Sequence, residues 1–247
     1  MPTITVYPAA GANDPVDGWV GIGGQNSTFP TIRAVATGND SNVTNASGTY
    51  VYIGASTTSN QFSDLYHGYI LFDTSAIPSD AVITSATFSL FGTAKSNGLG
   101  SPDIHVGASN PASNSNLVNA DFDKISRTSF GSVTYAGWST SAYNDFTLNA
   151  SGLSNISKGT GARSKFSVQF SWDINNSFTG AWVSSAASSF SAYTADQGGT
   201  GNDPKLVVTY TVIGPANLKS YNTNLKANIK SIDTNLIANI KSINTNA

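Results

Sequence analysis

The chain has 247 residues, no Cys, and a formal net charge of −2 from 12 basic and 14 acidic side chains, every acidic one an Asp. An apolar fraction of 39% excludes a disordered chain, and the absence of Cys excludes a disulfide scaffold and thiolate zinc sites. The near-neutral charge gives no whole-chain nucleic-acid footprint, and no apolar run approaches the length of a membrane span.

Ser, Thr and Asn make up about a third of the chain and Glu is missing, which disfavours helices and suits strands and turns. The first residues, Met1-Pro2-Thr3-Ile4-Thr5-Val6-Tyr7-Pro8, carry neither the basic stretch nor the apolar core of a signal peptide. Residues 1–45 read as an N-terminal arm, with one short strand at Thr3–Tyr7. Gly21-Ile22-Gly23-Gly24 reads as a turn and Asn39-Asp40-Ser41-Asn42 as a loop. Residues 46–214 carry regular strand signals: Tyr50–Ile53, Gly68–Phe72, Ala81–Phe91, Ile104–Val106, Ser132–Tyr135, Asp145–Leu148, Lys165–Trp172 and Lys205–Val212. In Ala81–Phe91 the alternation puts Phe88 and Leu90 on the core face. Phe166, Val168, Phe170 and Trp172 share one face, as do Leu206, Val208 and Tyr210. Leu153–Lys158 reads as a short helical turn. Strands punctuated by turns, with no long helices between them, predict an all-β antiparallel sandwich.

Two of these stretches resemble a known family. Gly68-Tyr69-Ile70-Leu71-Phe72-Asp73-Thr74-Ser75-Ala76-Ile77-Pro78, followed by Ala81-Val82-Ile83-Thr84-Ser85-Ala86-Thr87-Phe88-Ser89-Leu90, is similar to the DNRLRE family of surface modules. Asn144-Asp145-Phe146-Thr147-Leu148 and Asp203-Pro204-Lys205-Leu206-Val207-Val208-Thr209-Tyr210 look like its later and closing strands. The resemblance covers roughly residues 46–212. It implies a jelly-roll-like sandwich akin to carbohydrate-binding modules, in extracellular or phage-associated proteins of adhesive or structural role.

Residues 215–247 differ in charge and pattern. They hold four Lys and one Asp, whereas residues 1–214 hold eight basic and thirteen acidic groups. Residues 223–233 recur almost unchanged as 234–244, a period of eleven. Leu218, Tyr221, Leu225, Ile229, Ile232, Leu236, Ile240 and Ile243 form one stripe at steps of three and four. That spacing fits a right-handed helical coil. The Asn-, Thr- and Ser-rich sequence also allows eight-residue strands at Leu225–Ile232 and Leu236–Ile243, or disorder. Either ordered form leaves an apolar stripe that a lone tail cannot bury, so the tail is expected to self-associate or to dock on another assembly subunit.

Catalytic constellations are thin. His67 and His105 fit no metal-binding helix motif, and His67 reads as a partly exposed structural residue at the start of a strand. Asp121-Phe122-Asp123 could hold calcium with loop carbonyls, as could Asp14 and Asp17; otherwise no cofactor is expected. Trp138 and Trp182 are flanked by small residues that would leave a flat ring open for a sugar. The expectation is a non-catalytic structural or adhesive protein of a virion or extracellular surface. The alternative is a carbohydrate-binding module that recognises a surface glycan through Trp138 or Trp182. No nucleic-acid partner and no membrane span are expected.

Overall fold

The computed structural model describes residues 1–46 and 48–212. The Leu218-to-Ile243 stripe and its repeat lie outside them. The described residues form an all-β, sandwich-like body of antiparallel strands with three short helices. In chain order the elements are β1 (Thr3–Val6), β2 (Asp17–Ile22), α1 (Phe29–Arg33), β3 (Asp40–Asn42), β4 (Thr49–Ala55), β5 (Phe62–Asp73) and β6 (Ala81–Asn97). There follow β7 (Ile104–Ala108), a single 3₁₀ turn (Asn119–Asp121), β8 (Gly131–Val133), β9 (Tyr143–Thr147), α2 (Ala150–Ser154), β10 (Arg163–Phe170), α3 (Ser171–Asn175), β11 (Ala187–Ala192) and β12 (Lys205–Val212).

Two long strands organise the sheet. The first part of β6 pairs with β12 on one side and β9 on the other, while its last residues pair with β11. β5 pairs with β2 along one edge and, along the other, with β4 near its start and β10 near its end. β11 bridges β6 to β4, and β7 links β10 to β8.

The alternation read in β6 has the correct phase. Phe88 and Leu90 are buried, but a register shift between Ile83 and Ser85 turns the start of the strand over, so that Ala81 is buried and its neighbour Val82 is exposed. Phe72 of β5, Phe88 of β6, Phe146 of β9 and Phe166 of β10 meet edge-on or tilted, with ring centroids 5.5–6.0 Å apart. All four are fully buried. Each contributes about 1.5–3 kcal/mol by burial alone, so this cluster ties four strands into one core.

Four expectations are corrected. Residues 1–45 are not an arm: β2 lies against the centre of β5, and Val16, Val20, Ile22, Phe29 and Ile32 are core residues. Gly21 belongs to β2, and Asp40–Asn42 is a strand, β3, paired with β2. Trp172 does not extend β10; the chain turns into α3 at Ser171, and Trp172 is buried from the helix. The helical turn near Leu153 begins earlier, because the Asn149 side chain accepts a hydrogen bond from the Gly152 N–H (3.0 Å) and caps α2 there.

A candidate ligand cleft on the outer face of the sheet

The strands β3, β2, β5 and β4 lie side by side, and their registers set one row of residues across them. Asp40 pairs with Gly21, Gly21 with Tyr66, and Tyr66 with Tyr52. The next row along β2 and β5 sets Trp19 beside Gly68, and a row beyond Tyr52 sets Gly54 beside Asp64. Side chains alternate along a strand, so Asp64 and Tyr66 face outward while Leu65, His67 and Tyr69 face the core. The burial agrees: the last three are fully buried, and Trp19, Tyr52, Asp64 and Tyr66 are half-buried.

Trp19, Asp40, Tyr52, Asp64 and Tyr66 line an open cleft of about 330 Å³. Its aromatic rings stand across one another. Trp19 and Tyr66 meet at 65° with centroids 5.1 Å apart, and Tyr52 and Tyr66 meet at 89° and 5.8 Å. Glycine makes the room. A Cβ on Gly21 would lie 2.1 Å from the Tyr66 ring, and one on Gly54 would lie 2.9 Å from the Asp64 carboxylate. The Tyr66 hydroxyl points to Asp40 Oδ2 at 3.4 Å, and Ser63 Oγ donates to Asp64 Oδ2. Burial, aided by the Asp64 charge, pushes the Tyr52 phenol above its ordinary value, so it stays neutral and able to donate. At the rim, Asn39 holds the turn after β2: its side-chain amide donates to Gly23 O and accepts from Gly23 N–H, each at 2.8 Å.

A charged network lies on the core side of the same strands. Asp173 of α3 is buried, and its Oδ1 takes Arg33 Nε at 2.8 Å and Arg127 Nε at 3.0 Å. His67 Nε2 is 2.9 Å from Asp173 Oδ2, close but not aligned as a hydrogen bond. Phe122 packs on the imidazole, with centroids 4.9 Å apart. Burial alone would raise the Asp173 carboxyl. The His67 and Arg127 contacts outweigh it and bring the pKa down to about 2. His67 is therefore a buried residue inside β5, not a partly exposed one at its start. The network joins α1, β5, the Arg127 loop and α3, and its side chains do not face the cleft.

A second buried carboxyl, Asp17 of β2, has the opposite character. Ala195 N–H donates to its Oδ2 at 3.0 Å, while Oδ1 has no hydrogen-bond partner among the described residues. Burial, with help from the Asp196 and Asp203 charges, pushes its pKa up to about 8.

The sequence-predicted site residues fall elsewhere. Trp138 is buried, packed edge-on against Phe190 at 5.3 Å, so it is not the open platform its small neighbours suggested. Trp182 is half-buried and donates from Nε1 to Gln61 O at 2.8 Å. The structure does not bring these two into the cleft. Asp121 is buried and spends its carboxylate on the backbone N–H groups of Ala112 (2.9 Å) and Val118 (3.0 Å). Asp123 instead pairs with Lys124 at 2.8 Å, and Asp14 with Arg163. Among the described residues no group of three acidic or His side chains converges as a metal site. The cleft residues were missed because β2 and β3 look like turn and loop. The signal that could have found them is the alternation Trp19-Val20-Gly21-Ile22 set against Asp64-Leu65-Tyr66-His67.

No family model and no curated protein matches this chain. No helix among the described residues is long and apolar enough to cross a membrane.

Proposed function

We propose that this chain is a non-catalytic adhesive component of a virion or other extracellular assembly, and that its body binds a surface glycan in the Trp19–Tyr52–Tyr66 cleft. The observation that carries this reading is the cleft itself. Three aromatic rings and two carboxylates are gathered on the outward face of the sheet, with the Tyr66 ring lying over Gly21 and the Asp64 carboxylate beside Gly54. Aromatic faces cover the apolar C–H faces of a pyranose, and carboxylates accept its hydroxyls. This moves the carbohydrate-binding reading from Trp138 and Trp182 to a different set of residues.

A glycan array probed with the full chain tests it. Trp19→Ala is expected to weaken the best array ligand about tenfold or more, with Trp182→Ala close to wild type. Loss of binding in Trp182→Ala but not in Trp19→Ala would move the site, and no glycan binding at all would sink the reading.

The tail part of the proposal rests on sequence alone. The eleven-residue repeat and its apolar stripe favour assembly with copies of the chain or with other subunits. A chain ending at Pro215 is therefore expected to have fewer subunits per particle by light scattering than the full chain. Equal subunit numbers for the two would rule the tail out as the assembly element.

A further inference from the structure

We infer that the cleft selects a ligand bearing a positively charged amine, and that within the glycan reading above, on which this rests, the ligand is a hexosamine with a free rather than acetylated amino group. Three observations point there. The rings stand at 65° and 89° to one another, so they wall a compartment instead of extending one flat shelf. A shelf suits the face of a neutral sugar. Walls at right angles suit a compact group that can meet several ring faces and edges together, as an alkylammonium does. Next, the charged side chains that line the cleft among the described residues are both acidic, Asp40 and Asp64. An ammonium seated between them would complete two charge-assisted contacts, whereas a uronic or sialic acid would bring a third like charge. The third is that Asp64 is held in place rather than splayed into solvent. Ser63 Oγ donates to it, and the hypothetical Cβ positions of Gly23 and Gly54 lie 2.7 and 2.9 Å from its two oxygens. The carboxylate is thus set on the sheet where a ligand amine would reach it. An acetyl cap on the nitrogen would remove the charge and add bulk against the Tyr52 and Tyr66 walls.

Calorimetric titration of the full chain tests the inference. The probes are a β-1,4-linked glucosamine tetrasaccharide, its fully N-acetylated counterpart, and choline chloride, at mildly acidic pH where the sugar amine carries its proton. The free-amine sugar is expected to bind about tenfold tighter than the acetylated one, the scale of one charge-assisted contact. That preference should shrink with added salt. Asp64→Asn, and separately the exposed Asp40→Asn, should narrow the gap, and Trp19→Ala should remove both ligands. Equal or tighter binding of the acetylated sugar, sensitive to Trp19→Ala, would overturn the charge inference while leaving the glycan reading intact. Choline binding with neither sugar bound would overturn the hexosamine assignment. Failure of both sugars and choline, together with a blank glycan array, would overturn the glycan reading itself. The two aspartate variants guard against misfolding, since Asp40 lies on the surface and cannot disturb the core.

Discussion

Asp173→Asn lowers the stability of the body by about 3 kcal/mol, the low end of the cost of breaking a buried ion pair, because Asp173 is buried but the Arg33 and Arg127 side chains keep 17% and 24% of their surface in solvent. In the wild-type chain one carboxylate faces Arg33, Arg127 and His67. An amide keeps the shape and one acceptor, but it leaves two guanidinium groups and an imidazole in a poorly solvated corner between α1, β5 and α3. The effect also has a defined pH dependence. The folded pKa of Asp173 is lowered to about 2 from an ordinary 3.8, so its contribution is present above about 3.8 and is lost as pH falls through about 2. Urea unfolding at neutral pH and at acid pH checks both parts. A neutral-pH difference below about 1 kcal/mol would show that the network is no more than a set of surface-type ion pairs.

Asp17→Asn acts in the opposite direction and is expected to stabilise the protein at alkaline pH. The folded pKa of Asp17 is raised from 3.8 to about 8, so its contribution is fully present below about 3.8 and is lost as pH rises through about 8. Between those limits each pH unit costs about 1.4 kcal/mol from this group. The penalty at pH 8 is on the order of a few kcal/mol, with relaxation of the site reducing it. Asparagine keeps the acceptor for the Ala195 N–H and places an amide NH₂ where Oδ1 has no partner among the described residues, beside the Asp196 and Asp203 charges. The variant should unfold at a higher urea concentration than wild type near pH 8, with the advantage closing toward pH 4. An unchanged pH slope in Asp17→Asn would mean that another group sets the alkaline limit.

The parts of the fold legible in the sequence are those where one face of a strand is apolar and the other polar. β6 and β12 show this: Phe88 and Leu90 read as core-facing and Leu206 and Val208 as sharing one face, and all four are buried. β2 defeated that reading because Gly18 and Gly21 carry no side chain to register an alternation, and Gly-rich sequence ordinarily marks a turn. β3, Asp-Ser-Asn, has no apolar residue at all and is a strand only because β2 lies beside it. The cleft is built on these two elements, so its residues could not be brought together from sequence. Trp138 failed for a different reason. What covers it is Phe190 on β11, and Ala-Ser-Ser-Phe-Ser-Ala gives no periodic signal for a buried strand. His67 was legible in principle, since the alternation that sends Tyr66 outward sends His67 inward. Its partner Asp173, however, is 106 positions further along the chain.

The double membership of β6 has a mechanical consequence. Val212, the last described residue, pairs with Ala81 at the start of β6. Tyr52 of the cleft is tied through Ser189 of β11 to Ser96, near the other end of the same strand. A pull on the chain at Val212, resisted by a ligand held at Tyr52, therefore runs lengthwise along β6. Its hydrogen bonds to β12 and β11 are loaded together in shear instead of being peeled one at a time. Under the adhesive role proposed above, a load applied between these two points would meet the sheet in its tougher direction.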